Sequence, residues 1–343
     1  MRKAKGLLLV TFLFFCSSIA IAQNATQSEG TLVAQMPCAP NTIGTYEQYL
    51  ESAKQSAASE VEAAKREGFK KEMPTGLAAH LLSREEFERA KAYAGFECRH
   101  ITYMSDGLKV AGLLWKPKNT DGKKLPLIIM NHGGNGESGK LIPWGQFGYY
   151  RYVSSGFVVI GPQYRGIDGG EGKEEFGGGD VHDVMNVIPL ARSLGYVDMN
   201  NVFMVGASRG GLMTYLALKN KVAVNAAAVI SGMADLISST KERPGMVAFY
   251  KRLIPDFEKG GDESLRERSA VYWADKINTP LLLLHGTADW RVATSEVLTL
   301  AQRLQENGKT FEMIVYANDE HGIPLNRADA DRRIIEWFKM HMK

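Results

Sequence analysis

Between residues 202 and 218 the chain reads VFMVGASRGGLMTYLAL: an apolar run, a serine flanked by glycines, then a second apolar stretch. A buried strand that turns straight into a helix leaves almost no room at the corner. Gly206 and Gly210 remove the side chains that would collide there. Ser208, between them, is expected to be held with its hydroxyl above the end of the strand. This corner constrains the fold more than any other stretch, because it needs a buried strand before it and a helix after it.

Short apolar runs of the required kind recur along the chain, at 125–131, 157–161, 202–206, 224–232, 280–286 and 311–316, with helical stretches between them. Near-continuous apolar runs indicate strands buried on both faces, and the intervening helices indicate parallel connections. Ahead of them, HITYMSDGLKVAGLLWKP reads as a hairpin around Asp106-Gly107. An antiparallel hairpin leading a parallel βα series predicts an α/β-hydrolase fold: a mostly parallel, twisted sheet with helices on both faces. The glycine-rich GIDGGEGKEEFGGGD (166–180) lacks the pattern of a phosphate-binding loop and is expected to be a mobile loop beside the site.

The start of the chain is of a different kind. Arg2, Lys3 and Lys5 precede an apolar stretch that ends in Ala20-Ile21-Ala22, the pattern of a signal peptide cleaved before Gln23. Secretion or delivery to a periplasm is therefore expected, with no membrane span left after cleavage. Removing the leader brings the formal charge from +3 to about zero, so the basicity gives no argument for a nucleic-acid partner. Cys38 and Cys98 remain, and either a disulfide or two separate thiols fits the sequence. Residues 23–44 are expected to wrap loosely on the surface. A helical period follows from Tyr46 to Glu67 with a stop at Gly68, and a second helix opens at the Ser83/Glu86 capping box. The expected organisation is a leader (1–22), an N-terminal helical extension for packing or shielding (23–99) and a catalytic domain (100–343).

A serine hydroxyl is a weak nucleophile and needs a base and an orienting acid, expected in the chain order serine, acid, histidine. Asp289 follows the run at 280–286 and His321 follows the run at 311–316, each on a loop at the strand's carboxyl end. The expected triad is thus Ser208, Asp289 and His321. Asp235, after the run at 224–232, is the rival acid. Asp319 stands too close to His321 along its loop. His285 reads as structural, and His182 as a surface or capping residue. The N–H of Arg209 is the expected first donor to an oxyanion. A second donor comes either from the backbone of Gly133 and Gly134 in NHGGNG or from the Tyr164 hydroxyl in PQYRG.

Taken in order, NHGG, PQYRG, GASRGG, RSAVYWADKINTPLLLLHGTADWRV and NDEHG resemble the catalytic domain of the prolyl oligopeptidase family of serine peptidases, over roughly residues 100 to 343. The resemblance implies the Ser208–Asp289–His321 triad, with Tyr164 as the second oxyanion donor. Asn135 stands where the family's H-G-G-P has proline, which keeps the backbone alternative open. Residues 23–99 are too few for the β-propeller that precedes this domain in such peptidases. The expected activity is hydrolysis of an ester or short-peptide amide through an acyl-serine, without metal or organic cofactor. The alternatives are an esterase or deacylase on a non-peptide substrate and a non-catalytic binding module. The sequence does not disclose the oligomeric state.

Overall fold

The computed structural model of the chain describes residues 28–39, 44–73, 77, 81–118, 120–143 and 148–343. The leader and its expected cleavage point before Gln23 lie outside the described residues. Nine strands form one sheet: β1 (Leu32–Pro37), β2 (Phe96–Ser105), β3 (Leu108–Pro117), β4 (Leu125–Asn131), β5 (Val158–Pro162), β6 (Val197–Ala207), β7 (Ala226–Ile230), β8 (Leu281–Gly286) and β9 (Phe311–Tyr316). Their order is β1-β2-β3-β5-β4-β6-β7-β8-β9. The pairs β1/β2, β2/β3 and β3/β5 are antiparallel, and every later pair is parallel. The expected α/β-hydrolase architecture is present.

Side chains alternate across the central strands, as a period of two requires. Ile129, Met204, Ala227 and Leu283 pack on one face, beneath helices that include Arg209–Lys219. Ile128, Phe203, Ala228 and Leu284 pack on the other, where the helix Arg327–Met340 lies. The hairpin turns at Asp106 (φ 52°) and Gly107 (φ 75°), both positive as its tight turn demands. Among the described residues no helix is long and apolar enough to cross a membrane.

The loose N-terminal wrapping expected for residues 23–44 is not what their described part does. Leu32–Pro37 form an edge strand on β2. Cys38 and Cys98 are joined by a disulfide at a Cα separation of 5.4 Å, and the Cys38 N–H donates to the Cys98 carbonyl. The helices Tyr46–Arg66 and Arg84–Ala92 therefore form an excursion between two paired strands, stapled at its base. A cross-link closing a loop of this length (60 residues) contributes about 4 kcal/mol in the chain-entropy account. Both helices open with a capping box, Thr45/Gln48 in the first and Ser83/Glu86 in the second. Phe87 fills the space between them against Tyr46 and Tyr49, at ring distances of 5.5 and 5.3 Å.

Candidate active site

Ser208 sits between β6 and the helix Arg209–Lys219 with φ 56° and ψ −121°. A non-glycine residue so placed stores roughly 1–3 kcal/mol of backbone strain and persists only where its surroundings fix it. The flanking glycines show what does the fixing. A Cβ on Gly206 would lie 2.1 Å from the Gly210 carbonyl oxygen, and one on Gly210 would lie 2.0 Å from that of Asn131. Strand, corner and helix are in backbone contact, and neither glycine tolerates a side chain. The Ser208 N–H donates to Ile230 of the neighbouring strand at 2.9 Å.

Beside the corner runs the loop that follows β4. A Cβ on Gly133 would come within 3.1 Å of the Ser208 Cβ and 3.8 Å of its Oγ, so the Gly133 backbone lies against the serine. Among the described residues no acceptor engages the Gly133 N–H. Arg209 opens its helix, so its N–H has no intrahelical acceptor either. The Tyr164 hydroxyl, by contrast, is fully buried and donates to the His132 carbonyl at 3.0 Å. The expectation that it faces an oxyanion is corrected here: its one proton is spent holding the donor loop. Burial pushes its pKa up, which keeps the hydroxyl protonated. The His132 ring stacks on Tyr164 at 4.2 Å, and burial lowers its pKa to about 4.

The side chain of Arg209 was not singled out from the sequence, and it organises this half of the site. It is 1% exposed and lies between the rings of Tyr164 and Phe176, 5.0 Å from each. Its guanidinium donates to the Gly134 carbonyl (3.2 Å), to Asp180 (2.7 Å) and to Glu174. Glu174 in turn accepts the Gly136 N–H at 3.0 Å, and Asp180 accepts those of Glu175 and Gly177. The expected mobile loop at 166–180 is therefore pinned by two carboxylates on a buried cation, with Phe176 in the core. Its glycines serve tight turns: Gly166, Gly169, Gly172 and Gly177 all have positive φ.

Asp289 and His321 meet on the loops after β8 and β9. The His321 Nδ1–H donates to the Asp289 carboxylate at 2.9 and 3.1 Å. The same carboxylate accepts the N–H groups of Arg291 (2.9 Å) and Val292 (3.0 Å). Burial raises the Asp289 pKa, but His321, His285 and the Val292 N–H outweigh it, and the net shift is downward. Asp289 is held as an anion. The rival acids are occupied elsewhere. Asp235 caps the helix Leu236–Glu242 through the N–H groups of Ile237 and Ser238. Asp319 is buried and shapes the histidine's loop by accepting from Glu320, Leu325 and Asn326. His285 is buried beside the acid, its Nε2 2.9 Å from the Val292 carbonyl and 3.4 Å from the Asp289 carboxylate, and His182 pairs with Asp106 at the exposed hairpin tip.

The two halves join through β7. Ser231 follows Ile230, the residue that binds Ser208, and its hydroxyl accepts the Gly322 N–H, next to His321, at 3.1 Å. The Ser208 hydroxyl itself makes no hydrogen bond among the described residues. A nucleophile–base bond often tightens only with substrate in place.

The N-terminal excursion grips the acid–base half from outside. Glu60 forks onto Arg291 at 2.7 and 2.8 Å, and Glu67 onto Arg243 at 2.6 and 2.7 Å. Lys71 pairs with Glu320, beside His321, with only 7% and 16% of the two side chains exposed. Phe69 packs on Trp290 at 5.5 Å, next to Asp289. None of these contacts was apparent from the sequence, because each joins residues more than 170 positions apart.

Residues 146–343 match the prolyl oligopeptidase family. The chain is 32% identical to the uncharacterized peptidase YtmA of Bacillus subtilis, over 71% of this chain and 92% of that protein. It is 26% identical to dipeptidyl-peptidase 5 of Porphyromonas endodontalis, over 70% of this chain and 36% of that one. In fold it resembles the acylaminoacyl peptidase of Pyrococcus horikoshii, with a TM-score of 0.64 and 25% identity, covering 74% of this chain and 43% of that one. The chain thus spans most of the first relative and less than half of the other two.

Proposed function

The chain belongs to the prolyl oligopeptidase family of serine peptidases, and from that premise we propose that Ser208, His321 and Asp289 carry out its hydrolysis of peptide bonds. The observation behind the assignment is the His321–Asp289 pair, seated on the same sheet edge as a serine in a strained strand–helix corner. In this reading the Ser208 Oγ attacks the scissile carbonyl carbon while His321 Nε2 takes its proton. Asp289, anionic and fixed by two backbone N–H groups, holds the Nδ1 proton in place and stabilises the imidazolium. The negative charge on the tetrahedral oxygen is met by the N–H groups of Arg209 and Gly133. The C–N bond breaks as Nε2 returns the proton to the leaving amine. Water then attacks the acyl-serine by the same relay and restores the Ser208 hydroxyl.

The substrate class we infer is a short peptide or acylated amino acid. Residues 60–71 of the excursion lie against the acid and base loops through Glu60, Phe69 and Lys71, which places this segment beside the bound substrate. The leader pattern and the Cys38–Cys98 disulfide both favour export to an oxidising compartment. Assaying N-acylated dipeptides beside p-nitrophenyl esters tests this reading. Turnover of both is expected, whereas ester hydrolysis with no measurable amide hydrolysis supports a deacylase in its place.

A further inference from the structure

A cavity of about 450 Å³ opens beside the serine corner, where Gly133, Gly134, Gly206 and Ala207 line it. Met130, Leu141, Val205 and Ile230 give it apolar walls, and Tyr149, Tyr152 and Arg327 also line it. Among the described residues no acidic side chain contributes to the lining. The cavity holds two cations of different standing. Lys140 is neutralised by Asp168 at 2.8 Å and Glu137 at 2.9 Å. Arg327 gives only its Nε to Asp331, at 2.9 Å, and its two terminal nitrogens have no partner among the described residues. Asp331 does not cancel that charge, because it also accepts from Arg151 (3.1 Å) and from the Tyr152 hydroxyl (2.9 Å). Two guanidiniums share one carboxylate that is itself 1% exposed and cannot reach into the cavity.

Arg327 thus shares its carboxylate partner and keeps its terminal nitrogens free among the described residues, at a cavity with mixed polar and apolar walls beside a nucleophile. Such a guanidinium has the chemistry of a carboxylate receptor, since its paired N–H groups match two carboxylate oxygens. We propose that this cavity is a subsite for the free C-terminal carboxylate of a short peptide, bound by the terminal nitrogens of Arg327. The size suits one or two residues beyond the bond under attack. The inference rests on the hydrolase reading for its substrate class, but it concerns binding and is tested without turnover.

The test is calorimetry on the Ser208→Ala protein with three probes: N-acetyl-Ala-Ala-Ala, its C-terminal amide, and N-acetyl-Glu-Ala-amide. The free acid is expected to bind roughly 10- to 100-fold more tightly than its amide, the range for a charge-assisted hydrogen bond. Adding Arg327→Met should abolish that preference and leave amide binding within about threefold. Arg327→Lys, which keeps the charge and a donor to Asp331, should keep part of the preference and serves if the methionine variant fails to fold. Equal binding of acid and amide, a preference that survives Arg327→Met, or no binding of either overturns the proposal. So does an acidic side chain that substitutes fully for the free terminus. Wild-type protein that binds the acid but hydrolyses no peptide contradicts the hydrolase reading and leaves the carboxylate subsite standing.

Discussion

The two halves of the site are held in opposite ways. The serine half is fixed from within: Arg209, buried between two rings, ties the corner to the Gly134 loop through a network whose carboxylates are also buried. The acid–base half is fixed partly from without, by ion pairs that Glu60, Glu67 and Lys71 send from the stapled N-terminal excursion. A buried network cannot lose a member without leaving a charge stranded, whereas a partly exposed pair loses little when broken. The serine half should therefore fail by unfolding or by losing its donors, and the acid–base half should be adjustable.

The largest effect tests whether the outer half, though held from outside, carries equal chemistry. Asp289→Asn should lower kcat by on the order of 10⁴ through the wrong imidazole tautomer, with Tm close to the parent's. Asp235→Asn should change stability and activity little, because Asp235 is a helix cap and an asparagine oxygen accepts the same N–H groups. A reversal of the two would move the acid to β7.

Next comes the inner network. Arg209→Met strands Glu174 and Asp180 and should cost about 3–5 kcal/mol of stability, measured by denaturant unfolding. An unfolding curve that shifts by less than about 1 kcal/mol would remove the distinction between the halves. The outer counterpart is milder. Breaking the partly exposed Glu60–Arg291 pair with Glu60→Gln should leave Tm nearly unchanged. Lys71→Met, by contrast, strands a largely buried Glu320 and should lower Tm as well as kcat, with a Lys71→Glu/Glu320→Lys exchange restoring part of both. Unchanged kcat in Lys71→Met makes the excursion a passive cover.

The smallest effect falls on Tyr164. Its hydroxyl holds the His132 carbonyl, so Tyr164→Phe removes one neutral hydrogen bond of roughly 1 kcal/mol, and kcat should stay within about tenfold of the parent. A loss nearer 10³ would return the hydroxyl to the oxyanion.

What could be read from sequence was whatever local sterics or hydrogen bonding dictate. Gly206 and Gly210 announced a corner with no room for side chains, Ser83 and Glu86 announced a helix start, and the apolar runs announced buried strands. The edge strand Leu32–Pro37 was missed because it is mostly exposed and shows no apolar alternation. The glycine-rich stretch was misjudged for a related reason. Its composition signals freedom, while its rigidity comes from Glu174 and Asp180 pairing with an arginine about 30 residues away. Tyr164 was assigned by resemblance and corrected by its hydrogen bond. Arg327 carried no local signal, since only the folded sheet brings it beside the Gly133 loop.

The central claim is that Ser208 is the nucleophile and that His321 and Asp289 activate it. Labelling with a fluorophosphonate, followed by peptide mapping of the adduct, tests it most directly. The expected result is one phosphonate per chain on Ser208, none on Ser208→Ala, and labelling slowed severely in His321→Ala and Asp289→Asn. An adduct on another residue, or equal labelling of the Ser208→Ala protein, would contradict the account.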